Sequence, residues 1–67
     1  MTTDDFKPGD RVRYVPGHAH GDRSHADCEN GIVSSTNDKY VFVRYYYKGG
    51  GLRECGEATN PDDLVKT

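Results

Sequence analysis

An all-β fold, a small barrel of five short strands, is what this 67-residue sequence predicts, and three observations predict it. Residues 40–47 read Tyr-Val-Phe-Val-Arg-Tyr-Tyr-Tyr, a β-branched and aromatic run suited to a pleated, half-buried surface. Residues 11–15, Arg-Val-Arg-Tyr-Val, alternate polar and apolar side chains with the period of two that marks a strand. Turn-forming clusters punctuate the chain at Pro8-Gly9-Asp10, Pro16-Gly17, Asn37-Asp38 and Asn60-Pro61, and no segment carries an amphipathic helical period.

The elements follow in order. Residues 1–5 are short and polar and are expected to fray. Phe6 is the first large apolar side chain after Met1 and is expected to tuck a leading segment against the barrel. Pro8-Gly9-Asp10 turns the chain into the first strand, where Val12 and Tyr14 point inward and Arg11 and Arg13 outward. Pro16-Gly17 ends it. Residues 16–30 form a long loop crowded with His18, His20, Asp22, Arg23, His25, Asp27 and Cys28, and loops of about this length are usually functional or mobile. A central hairpin then takes residues 31–35 out, turns at 36–39 and returns along 40–47. On the return strand Val41, Val43 and Tyr45 share one face, and Phe42, Arg44 and Tyr46 the other. Three consecutive glycines, 49–51, read as a flexible connector. A fourth strand falls within residues 52–59, with Gly56 as a bulge that reconciles its two phases. Asn60 caps a single helical turn begun by Pro61, and Leu64-Val65 closes the barrel as the last strand.

Composition bounds the function. One domain spans residues 1–67, near the lower size limit for an unstapled core. Hydrophobic residues make up 33% of the chain, so the core must be thin. The formal net charge of -2 is unlike that of a strongly basic nucleic-acid binder. No apolar run reaches the roughly 20 residues that span a bilayer, and the N-terminal segment has no signal-peptide core, so the expected location is the cytoplasm. There Cys28 and Cys55 are expected as free thiols.

The residues Pro8-Gly9-Asp10-Arg11-Val12, Gly31-Ile32-Val33, Val41-Phe42-Val43 and Pro61-Asp62-Asp63-Leu64-Val65 resemble the small SH3-like barrels, including KOW-type modules. The resemblance covers nearly the whole chain, and the sequence also resembles small proteins encoded in phages and prophages. It implies a five-stranded SH3-like barrel with a short helical turn before the last strand. It implies a protein-, RNA- or DNA-binding module without catalytic residues to carry over. Such barrels present a groove between their first long loop and the turn of the central hairpin.

Four kinds of chemistry compete for the polar residues. His18, His20, His25 and Cys28 are the ligand types that zinc prefers, and together they would complete a tetrahedral site. Against this, the spacing matches no paired-cysteine knuckle, and the same side chains serve equally to shape an exposed loop by bonding its backbone. Cys28 beside His25 evokes a thiol–imidazole pair, but a chain this small offers little room for a water-excluding pocket, so no catalysis is expected. Arg11, Arg13, Arg44, Lys48 and Arg53 with Tyr45, Tyr46 and Tyr47 could track phosphates and stack bases, although 11 acidic residues oppose a polyanion. The leading expectation is a non-catalytic module that binds a protein partner through Tyr14, His18, His20, His25, Arg44, Tyr46 and Tyr47. Tyrosines would serve as its rigid anchors, and no bound cofactor is expected unless zinc occupies the loop. A monomer is expected, or a weak homodimer through an edge strand.

Overall fold

A computed structural model describes residues 2–67. Five antiparallel strands, β1 (Arg11–Tyr14), β2 (Glu29–Thr36), β3 (Val41–Tyr45), β4 (Glu57–Thr59) and β5 (Leu64–Lys66), form one sheet in the order β4-β3-β2-β1-β5. The sheet curls into a half-barrel compatible with an SH3-like barrel. Three 3-10 turns, Thr3–Asp5, Gly17–Ala19 and Pro61–Asp63, complete the regular structure of the described residues.

Alternation explains the core. Val12 from β1, Val33 from β2, Val41, Val43 and Tyr45 from β3 and Leu64 from β5 are buried together with Phe6, and Tyr14 packs against them. Phe6 does tuck the leading segment onto the sheet. The inward set on β3 is the one its period of two predicts, because side chains on alternate residues leave a pleated strand on the same side. Gly31 also lies inside, paired with Val12 on one side and Tyr45 on the other.

Short polar side chains hold the turns. Asn37 Oδ1 accepts from the amides of Lys39 and Tyr40, both at 2.8 Å, and so closes the hairpin between β2 and β3. Gly9 takes φ +93°, which a side chain would disfavour, and its amide donates to the Val33 carbonyl at 2.8 Å. Asn60 Oδ1 accepts from the Asp62 amide and caps the turn that Pro61 begins, as the sequence predicts. That turn delivers β5 to β1, where the Val15 amide meets the Asp63 carbonyl at 2.8 Å.

Four expectations are corrected. The N-terminal segment is shaped rather than frayed over its described part: Thr3 is buried, and the Thr2 amide donates to Asp5 Oδ2 at 2.8 Å. Met1 lies outside the described residues. The bulge lies in β2, where Ser34 is the extra residue between the pairs Val33–Val43 and Ser35–Phe42. Gly56 instead permits close approach, since a Cβ there would sit 3.1 Å from both Phe42 Cβ and Ser34 Oγ. The fourth strand is shorter than predicted, Glu57–Thr59, with Leu52 contributing only an isolated bridge to Tyr46. The glycine connector is a closed turn, with the Gly50 amide on the Tyr47 carbonyl at 2.9 Å and the Tyr47 amide on the Gly51 carbonyl.

Candidate functional site

The long loop has little apolar material to hold it. Its buried apolar anchors are Pro16 and, in the 3-10 turn Gly17–Ala19, Ala19. The remaining order comes from polar contacts. Arg13 reaches out from β1 and donates through Nε to the Arg23 carbonyl at 2.6 Å and through its terminal nitrogen to Asn30 Oδ1 at 2.7 Å. Asp22 Oδ1 accepts from the amide and hydroxyl of Ser24, and these bonds hold its carboxyl below the ordinary value. The Cys28 thiol donates to the Asp22 carbonyl at 3.4 Å, while the His25 and Cys28 amides bond the Asp22 and His25 carbonyls. The loop-shaping role expected of these side chains is what their bonds perform.

Within the loop three groups converge. His18 Nε2 lies 2.6 Å from Asp27 Oδ2, and the His18 and His25 rings meet edge-on with centroids 5.3 Å apart. His25 Nδ1 accepts from the Asp27 amide at 3.0 Å. One ligand-type atom each from His18, His25 and Asp27 fall within 4.8 Å of one another. The hydrogen bond from His18 is the main influence that holds the Asp27 carboxyl below its ordinary value, opposed by partial desolvation. His18 and Asp27 are both largely exposed, so their pairing is screened by water and adds little to stability.

Beside the cluster runs a groove of about 480 Å³ lined by Arg13, Ala26, Asp27, Cys28, Glu29, Asn30, Tyr46, Tyr47 and Lys48. Tyr46 and Tyr47 are 39% and 56% exposed, so both present ring area to solvent. Tyr47 is buttressed from behind. The Arg53 guanidinium lies 5.3 Å from its ring centroid and is itself fixed by Glu57 at 2.9 Å. The lining carries two cations and two anions, a balanced field rather than a basic one.

The expected site residues divide. Tyr46 and Tyr47 join the loop in one groove. Tyr14 does not, because it points to the other face of the sheet, where it meets Tyr45 edge-on and lines a separate concavity with Glu29, Glu57 and Asn60. His18, His20, His25 and Arg44 lie outside the groove lining, and Arg44 Nε is committed to the Arg53 carbonyl at 2.8 Å. The groove also lies away from the hairpin turn: β2 and β3 pair Gly31 with Tyr45 at one end and Thr36 with Val41 at the other. Of the four expected zinc ligands, His18 and His25 meet, whereas His20 and Cys28 are not in the cluster and Asp27 is. His20 sits in left-handed backbone at φ +52°, where it closes the preceding turn. Sequence weighed Arg13, Lys48 and Arg53 only for phosphate contact and Asp27 only as part of the loop, and it did not single out Glu29; the groove gathers Arg13, Asp27, Glu29 and Lys48. The outward phase of Arg13 was legible, but its partners depend on the register that sets it opposite Asn30. No helix among the described residues is long and apolar enough to cross a membrane. Compared with protein-family models, with curated proteins and with solved structures, the chain matches none.

Proposed function

We propose that this protein is a non-catalytic interaction module, built on a small SH3-like barrel, that grips an extended segment of a protein partner in the groove beside Tyr46 and Tyr47. The observation that carries this is the pair of exposed tyrosines continuous with the loop, one of them held rigid by Arg53. Tyrosine offers large contact area at low conformational-entropy cost, which is why it anchors interfaces. The mixed charges of Arg13, Lys48, Asp27 and Glu29 suit a peptide of mixed polarity better than a polyanion. The commitment of Arg13 and Arg44 to backbone carbonyls supports the same choice over nucleic acid. A likeness to KOW-type modules and a phage-encoded origin enter this proposal only as resemblances of the sequence, and a cytoplasmic setting only as the expectation from its composition.

A randomised displayed peptide library panned on the domain tests it. Selected peptides are expected to bind Tyr47→Ala and Tyr46→Ala variants at least about fivefold more weakly, a loss of about 1 kcal/mol each. Peptides indifferent to both substitutions would place binding elsewhere. Saturable, salt-sensitive binding of a single-stranded oligonucleotide with no peptide selected would replace this function with nucleic-acid binding.

A further inference from the structure

We propose that His18, His25 and Asp27 form a surface site for a divalent transition-metal ion, zinc in the first instance, with one tetrahedral position left to solvent. Two imidazoles and a carboxylate are a donor set that zinc takes, with bonds of about 2.0–2.2 Å to each. Tetrahedral bonds of that length separate neighbouring donors by about 3.3 Å. The three donor atoms here already lie within 4.8 Å of one another, so closure asks the 2.6 Å pair of His18 and Asp27, both exposed, to open slightly and the half-buried His25 ring to draw in.

The pair His18 Nε2 and Asp27 Oδ2, at 2.6 Å, is now bridged by a proton, and the ion takes the place of that proton. The His25 ring is brought to the same point by the backbone: the Asp27 amide bonds its Nδ1, and the Cys28 amide bonds its carbonyl. Neutral imidazole is the ligand form, so binding through either nitrogen of His25 gives up its bond from the Asp27 amide: at Nδ1 the ion replaces that bond, and at Nε2 the ring proton moves to Nδ1. Three protein ligands leave the fourth position open, the arrangement of an exchangeable rather than a closed structural site. Arg13, Asp22 and Ala19 order the loop through bonds and burial that do not involve the three ligands, which fits that arrangement.

The site departs from the four-residue set expected from sequence by replacing His20 and Cys28 with Asp27, and this difference makes it testable. Zinc is titrated calorimetrically into the untagged chain in chelator-free buffer, and cobalt substitution reports the donors by its absorption spectrum. One equivalent of zinc is expected to bind saturably. His18→Ala and Asp27→Asn should weaken it by at least the ~10–100-fold that loss of even an outer-shell partner costs, while His20→Ala and Cys28→Ser leave it unchanged. The cobalt spectrum should lack thiolate charge transfer. Amide chemical-shift changes on the unmodified chain should centre on residues 18–27, a readout that does not depend on any variant folding. No saturable zinc binding, a thiolate band, loss on Cys28→Ser without loss on Asp27→Asn, or shifts centred elsewhere would each overturn the site. Because the titration uses no peptide, its outcome is separate from that of the groove.

Discussion

Replacing Gly31 with alanine should destabilise the barrel, although general strand preferences predict the reverse. Alanine in a strand interior is favoured over glycine by about 0.5–1 kcal/mol, because glycine loses more backbone freedom on folding. At position 31 the added Cβ would lie 2.5 Å from Val43 Cγ1, 2.8 Å from the Arg44 carbonyl oxygen and 3.0 Å from Tyr45 Cδ1. Carbon atoms are comfortable at about 3.5–4.0 Å, so the first contact is short by about 1 Å. The Val43 methyl could rotate, but the Arg44 carbonyl belongs to the ladder and moves only if β3 moves with it. Overpacking of this kind typically costs about 1–3 kcal/mol. Set against the intrinsic gain, the net loss centres on about 1 kcal/mol, which lowers the midpoint of a domain this size by roughly 4–8 °C. Thermal and urea unfolding followed by circular dichroism measure it, with Gly49→Ala as the control. Position 49 has nothing within 4 Å of its would-be Cβ and no left-handed backbone, so that variant should be as stable as the parent or slightly more so. A Gly31→Ala midpoint at or above the parent's would refute the close approach of β2 and β3.

Val43→Asp should leave the chain unfolded at room temperature, since the side chain is fully buried within an apolar cluster; a cooperative melt would show the β3 register to be wrong. Burial pushes the Tyr45 hydroxyl up from 10.0 to about 12, opposed by its hydrogen bond with Thr59. The folded value exceeds the unfolded one, so this stability is intact below pH 10 and a few kcal/mol, on the order of 1.4 per pH unit, drains away as pH rises from about 10 towards about 12. Tyr45→Phe should flatten that alkaline decline, and an unchanged slope of stability with pH would contradict the burial. Cys28→Ser and Cys55→Ser should shift the midpoint little, with two thiols titrating in protein purified without reductant; finding none would mean a bridge across β3. Arg13→Ala removes the bonds to Arg23 and Asn30, so amide exchange across residues 16–30 should quicken while global stability falls by only about 1 kcal/mol; an unaltered loop would leave its order unexplained.

The barrel was legible because its signals are local. Val12, Val41, Val43 and Tyr45 declare their face by alternation, and Pro61 with Asn60 declares a capped turn. The Ser34 bulge was not legible. Val33-Ser34-Ser35 contains no glycine or other mark of an extra residue, and the slip exists only in relation to Phe42 and Val43 across the ladder. The site was half legible for a related reason. Tyr46 was rightly placed on the outer face, but Tyr14, on the inner one, was joined to it, although alternation alone puts Tyr14 beside Val12. His18, His25 and Asp27 are spaced by no recognised motif, and they meet because the backbone folds back through Asp22, His25 and Cys28.

A thin core explains why so much of this molecule is organised by polar side chains. Seven clustered residues can fix the sheet, but they cannot reach the turns or the loop, whose backbone groups still need partners. Asp5, Asp10, Asp22, Asn37 and Asn60 each fill that need with one short side chain bonded to an amide two or three residues away. Arg13 extends the same device across 10 and 17 residues, to Arg23 and Asn30. It thereby couples the outer face of β1 to the loop, and it also forms part of the groove wall beside Tyr46. The surface beside the tyrosines is therefore a product of the same hydrogen bonds that order the loop. If the groove grips a segment as proposed, that segment would press on Arg13 and Asn30, the residues whose bond also orders the loop.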